Sequence, residues 1–232
     1  MACYPVLSAE IAEKLGLSFA FKDGENAEIV PGVICKQISS KTYIVKPDTH
    51  VSRPFKKYPA YGSRSILEKR TSCLTFDFVY IWNQCPTTPE KQEDFVQRLQ
   101  NSLSRTLSVF PPVAGRLSEG GNSVECNGGG IPFRVRHKNG KAIWMGQTPP
   151  RGMYCDIMHG NLKLAGIHPL ASVLLTFFSE GGMAMGVCLS HSIADAKSFQ
   201  MFMEAWSRFH AGVGIEYGPI FERPDVLHWT ES

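Results

Sequence analysis

The sequence predicts an α/β fold, a mixed β-sheet flanked by helices. Three observations carry that expectation. Residues 73–82, CLTFDFVYIW, alternate with a period of two and are rich in aromatic and β-branched side chains, as a half-buried strand requires. ASVLLTFF (171–178) and MAMGVCLS (183–190) are two further apolar runs of strand length. Two longer segments, 87–112 and 196–212, carry apolar residues at helical spacing.

Taken in order, residues 1–32 read as an N-terminal appendage. LSAEIAEKLG can form a short helix with Ser8 as its cap and Glu10 near the first turn, and KDGENAE breaks it. GVICKQI and KTYIVKP are the first strand candidates. Pro47 and RPFKKYPAYGSRS then read as a basic loop punctuated by Pro and Gly. In the 73–82 strand, Leu74, Phe76, Phe78, Tyr80 and Trp82 make one large, aromatic face. The other face carries Asp77, which needs a partner if buried.

The helix over 87–112 has Thr88 as its cap and Pro89 at its first position, where a missing N–H costs nothing. Phe95, Val96, Leu99, Leu103 and Leu107 give its apolar stripe, and Pro111–Pro112 stop it. VAGRLS is a short return. GGNSVECNGGGIPFRVRHKNGKAIW reads as strands joined by turns, with Asn139-Gly140 as a hairpin signal. Its glycines lack the Lys-Ser/Thr ending of a phosphate loop and read as turns. Residues 147–170 show no clear periodicity. MAMGVCLS sets Met183, Met185, Val187 and Leu189 against Ala184, Gly186, Cys188 and Ser190; the small face would let a helix or ligand approach closely. The last helix places Phe199, Phe202, Met203, Trp206 and Phe209 on one stripe and stops at Gly212.

Composition narrows the function classes. The 232 residues are 43% apolar and 19% charged, with a net charge of +3 and no basic block, so nucleic acid is not an expected partner. The seven cysteines, Cys3, Cys35, Cys73, Cys85, Cys126, Cys155 and Cys188, are odd in number and include no CxxC pair. This disfavours a disulfide framework and a zinc site and fits a reducing, cytoplasmic setting. The N-terminus lacks the pattern of a secretory signal, and no run of 18 apolar residues exists to span a membrane.

The chemistry candidate is SHSIAD, residues 190–195. His191 falls where a strand ends and a helix begins, a corner at which a scaffold can fix an exposed side chain. Histidine there can take a proton from an alcohol or amine. By spacing alone a simpler explanation is commoner: Asp195 or Ser198 caps the helix and His191 is an ordinary loop residue. Rival chemistries have less support. There is no G-x-S-x-G and no H-E-x-x-H. His137, His159 and His168 are scattered, and Asp156 with His159 lacks a third ligand, so no metal site is expected. The methionines of MAMG and QMFME read as core filling.

ISSKTYIVKP, CLTFDF, LSRTLSVFPPVAGRL, ECNGGGIPF and LSHSIADAKSFQMFMEAW occur in one order over residues 33–224. Together they resemble the BAHD acyl-CoA-dependent acyltransferases. The resemblance implies a chloramphenicol-acetyltransferase-like lobe, with 33–224 as the acyltransferase N-terminal domain and 225–232 as a tail. It implies that His191 of the H-x-x-x-D motif is the general base. His191 would deprotonate a hydroxyl or amine acceptor, which attacks an acyl-CoA directly without a covalent acyl-enzyme. Asp195 would organise the loop structurally, paired with an Arg. Acyl-CoA would be a co-substrate, with no bound cofactor. The family's D-F-G-W-G motif and second domain have no counterpart in this sequence, and the Gly after its Asp is Ala196 here. In a left-handed conformation that Ala would cost on the order of 1 kcal/mol; in a helix it costs nothing. Three readings follow: the N-terminal half of a longer acyltransferase, a short enzyme that completes its channel as a homo-oligomer, or an inactive half-domain that binds acyl-CoA, the acceptor or a full-length relative.

Overall fold

In the computed structural model, the structure describes residues 37–48, 57–59, 75–119, 121, 123–142, 168–216 and 218–221. Eight strands and two helices lie in these segments. The strands are β1 (Gln37–Val45), β2 (Lys57–Pro59), β3 (Thr75–Trp82), β4 (Arg116–Leu117), β5 (Ser123–Glu125), β6 (Ile131–Lys138), β7 (Ala171–Phe178) and β8 (Met183–Ser190). The helices are α1 (Pro89–Val109) and α2 (Ala196–His210). The main sheet runs β1-β6-β7-β8-β3, and a small sheet runs β2-β5-β4. The main sheet is mixed, as expected. β6 and β7 are parallel and every other neighbouring pair is antiparallel. A parallel pair cannot be joined by a tight hairpin, in keeping with the 32 residues, 139–170, that separate β6 from β7 in the sequence.

Alternation decides which face of the sheet meets the helices. Val45 of β1, Ile131, Phe133 and Val135 of β6, Val173, Leu175 and Phe177 of β7, Met183, Met185, Val187 and Leu189 of β8, and Trp82 of β3 belong to one core with both helices. The helices contribute Val96, Leu99, Leu103 and Leu107 from α1 and Phe199, Phe202, Met203 and Trp206 from α2. These are the stripes read from the sequence, with Phe95 and Phe209 at their half-buried margins. Both helices therefore lie on one face of the sheet. It is the large face of β8 that these two helices cover, and neither of them approaches the small face.

The ends of the elements follow their chemistry. The Thr88 side chain accepts from the Lys91 N–H (3.4 Å) and Pro89 begins α1, while Pro111 and Pro112 turn the chain into a 3-10 segment, Pro111–Ala114. Gly212 ends α2 in the left-handed region, φ 76°. Gly130 enters β6 with φ 77°, and a Cβ there would collide with the Val45 carbonyl, so this glycine serves close strand approach. Residues 37–45, the end of GVICKQI and the start of KTYIVKP, form one continuous strand, irregular between Gln37 and Ser39, and residues 32–36 lie outside the described residues. The loop containing RPFKKYP holds the edge strand β2, where a proline is tolerated because it owes no ladder hydrogen bond outward. Asn139-Gly140 packs against the β7–β8 turn, with the Gly140 carbonyl accepting from the Glu180 N–H (2.9 Å). The second arm of the expected hairpin lies outside the described residues, as do residues 1–32 and 225–232.

Helices α1 and α2 are joined through Ser102. Its hydroxyl donates to the Leu99 carbonyl (2.9 Å) and accepts from Trp206 Nε1 (3.0 Å). His210 Nδ1 lies 3.3 Å from the same oxygen. Burial first, and then the Arg98 charge, hold the His210 imidazole below its ordinary pKa. Burial and then Lys41 do the same for His137, whose Nε2 lies 3.1 Å from the Gln92 side-chain oxygen. A depressed folded-state pKa means that the unfolded chain binds more protons. The contribution is therefore fully present above the ordinary histidine value of about 6.5 and is lost as pH falls through the folded value. The urea midpoint is expected to decline from pH 7 to pH 5, and the double variant H137Q/H210Q to show a flatter decline over the same range.

Candidate active site

β8 ends at Ser190 and α2 begins at Ala196, so His191 is the first residue of the turn between them. Three strand ends meet there. Ser190 pairs with Thr75 at the start of β3, and the Ser190 N–H donates to the carbonyl of Leu170, immediately before β7 (2.8 Å). His191 is half-buried, and its Nδ1 is enclosed by protein. Ser192 and Ala194 are buried on either side of Ile193. Ile193 packs against both the main core and a second cluster of Leu117, Val124, Cys126 and Leu170.

Asp195 is exposed and caps α2: its Oδ1 accepts from the Ser198 N–H at 2.7 Å, and Ser198 itself lies inside the first turn. The capped-turn explanation of the spacing and the corner placement of His191 are thus both present in one loop. Partial burial raises the Asp195 pKa, but the Ser198 backbone and side-chain hydrogen bonds, with His191 nearby, outweigh it and lower the pKa. Ala196, at the position of the family's Gly, is the first residue of α2, and no described residue other than glycine has a positive φ. The departure from the pattern therefore carries no strain. Replacing Asp195 by Ala is expected to cost about 1 kcal/mol in urea denaturation at pH 7, and by Asn only a few tenths. A carboxylate with a lowered pKa stabilises above its unfolded value of about 3.9 and loses that contribution as pH falls through the folded one. The gap between wild type and D195A should therefore narrow below about pH 4.

Phe199 sits one turn into α2 and holds the corner from below. It is buried, and its ring lies 4.1 Å from that of Phe78 on β3. The opposite face of the sheet carries Ala184, Gly186, Cys188 and Ser190 of β8, all buried, in register with Ile81, Val79, Asp77 and Thr75 of β3. Asp77 needed a partner by its position in the sequence. Its Oδ1 is buried on this face with no hydrogen-bond partner among the described residues.

The other sequence candidates do not converge on His191. His137 is engaged on β6 with Ser39 (3.2 Å) and Gln92, and stacks on Phe177 at 5.5 Å. His168 is exposed just before β7, and Asp156 and His159 lie outside the described residues. Among the described residues, no group of three His, Cys, Asp or Glu side chains is arranged to hold a metal ion. Cys85, Cys126 and Cys188 are free thiols, and burial pushes that of Cys126 up to about 11. No helix among the described residues is long and apolar enough to cross a membrane. Sequence reasoning missed Ser190, whose hydroxyl accepts from the Ser192 N–H (3.2 Å). The available signal was a polar residue ending a buried alternation directly before the histidine.

A family model described as "Transferase family" matches residues 65–229. Vinorine synthase of Rauvolfia serpentina is 39% identical over 121 residues, which are 48% of this chain and 28% of that protein. Stemmadenine O-acetyltransferase of Catharanthus roseus is 37% identical over 134 residues, 53% of this chain and 31% of that protein. Hydroxycinnamoyltransferase of Narcissus pseudonarcissus is 30% identical over 144 residues, 58% and 33% of the two chains. The crystal structure of vinorine synthase superposes with a TM-score of 0.59 at 23% identity, covering 81% of this chain and 45% of that one, and so shares its fold. The chain spans less than half the length of the curated relatives it matches.

Proposed function

The chain belongs to the Transferase family, the BAHD acyltransferases, and on that premise we propose that it moves an acyl group from acyl-CoA to a hydroxyl or amine of a small-molecule acceptor, with His191 as general base. The observation that carries the reading is the seat of His191, half-buried where three strand ends meet a capped helix. Nδ1 is enclosed by protein, and the reading places the arriving acceptor at Nε2. Nε2 takes the acceptor's proton as its oxygen or nitrogen attacks the thioester carbonyl. The tetrahedral oxyanion then collapses, the C–S bond breaks, and the imidazolium returns the proton to the CoA thiolate. No bond forms between acyl group and protein. Asp195 acts structurally, by capping α2 behind the histidine. Relatives named for O-acetyl and hydroxycinnamoyl transfer support transfer of an acyl group as the reaction.

The family resemblance implies a site in a channel between two domains, of which the described residues would furnish one wall and the base. A second reading is a half-domain that binds acyl-CoA, an acceptor or a full-length relative without turnover. The test is light scattering combined with thiol release from acetyl-CoA in the presence of a panel of alcohols and amines. An oligomer that releases CoA with His191 intact supports transfer by this chain. A monomer that binds acetyl-CoA in calorimetry and releases no thiol sinks it and supports the binding half-domain.

A further inference from the structure

We infer that Ser190 is the positioning residue for His191: its hydroxyl and both of its backbone polar groups close the turn that aims the imidazole. The inference rests on His191 being the base. Ser190 is bonded on three sides. Its N–H donates to the Leu170 carbonyl (2.8 Å), its carbonyl accepts from the Ile193 N–H (3.1 Å), and its Oγ accepts from the Ser192 N–H (3.2 Å). His191 is thus spanned by a strand residue locked to β7 and by two turn residues locked back onto that same strand residue. A serine side chain that accepts from the backbone two residues on imitates a backbone turn, which no apolar residue can do.

Burial turns this local bond into a constraint. Ser190 is 5% exposed and Ser192 3% exposed. Water has little access to this bond, so loss of the hydroxyl removes a tie between the turn and the strand that solvent does not readily replace, and the turn is freer to open. Opening displaces His191, and a base must stand within hydrogen-bond reach of the proton it takes. The capping bond of Asp195 fixes where α2 begins; the Ser190 bonds fix where the histidine stands relative to the sheet.

The test is NMR of the 232-residue chain labelled at histidine and at amide nitrogen, with the His191 ring signal assigned from its loss in H191A. In S190A the His191 ring signal is expected to shift and broaden while those of His137 and His210 stay in place. Exchange of the Ser192 amide should accelerate about tenfold or more, and S190T, which restores a hydroxyl acceptor, should reverse both effects. S190C keeps the volume with a poorer acceptor and should change both signals in the same direction if S190A does not fold. An unmoved His191 signal with unchanged Ser192 exchange in S190A or S190C overturns the inference, as does a loss of thiol release in S190A without movement of that signal. Failure of the base assignment reads differently: thiol release would survive in H191A, whatever the spectra of the Ser190 variants show.

Discussion

Replacing His191 by alanine is expected to lower acyl transfer by about a hundred- to ten-thousand-fold, the range that a positioned general base contributes. The measurement is thiol release at saturating acyl-CoA, in whichever assembly of this chain turns over. The urea midpoint should stay within about 0.5 kcal/mol of wild type, because the substitution falls in a half-buried turn and not in the apolar core. The two readouts separate chemistry from folding. A base variant loses rate and keeps stability; a residue that only organises the corner loses both together. Asp195 belongs to the second kind. D195A should lose stability through its cap and lose rate only as far as the turn relaxes, whereas D195N, which still caps, should keep most of both. If D195N falls as far as H191A while remaining folded, the carboxylate charge takes part in transfer, and the structural role proposed for it is wrong.

The largest stability effect is expected at Phe199. Its ring is buried between α2 and β3 and contacts Phe78, so Phe199→Ala should cost about 3–5 kcal/mol in urea denaturation, from lost transfer energy and the cavity left behind. A double-mutant cycle with Phe78→Leu should return a coupling of about 0.5–1.5 kcal/mol, since close aromatic pairs contribute beyond the area they bury. The same substitution bears on the site, because Phe199 stands four residues from Asp195 and behind the turn that carries His191. The milder Phe199→Leu is therefore the more informative variant for activity. It keeps the chain folded, and a drop in turnover with little change in acyl-CoA affinity would show that the corner must be held firmly for transfer.

Much of this arrangement is legible in the sequence because it is periodic. Helix α1 announces itself by Thr88, Pro89 and an apolar residue at every fourth position, and β3 by the strict alternation of Phe78, Tyr80 and Trp82 with Asp77, Val79 and Ile81. The His191 corner follows from the meeting of two such patterns. What is not periodic is not legible. The partner of β1 is β6, nearly a hundred positions away, and nothing in either strand's own residues names the other. β2 is three residues long and contains a proline, too short for any period to register. Ser102 lies beside the apolar stripe of α1, and only the arrival of Trp206 and His210 makes its hydroxyl a hub. Ser190 escaped notice for a related reason. It follows the alternation of β8 as one more small residue, and its role arises from bonds made to the backbone of the turn after it.

The strand order also sets a timetable for the growing chain. β3 pairs with β8, so its edge finds its partner only after roughly a hundred further residues have been made, some 5–20 seconds of synthesis at ordinary rates. Throughout that interval a ribbon carrying Phe78, Tyr80 and Trp82 stands without the strand that completes it, and β1 waits in the same way for β6. Helix α1 forms from local contacts and emerges directly behind β3, which makes it the earliest cover for those aromatic rings. The final pairing delivers β8 and with it His191. The corner proposed to carry the chemistry is therefore among the last parts of the described fold to be built, and the nascent protein is most exposed to aggregation and to chaperones just before it exists.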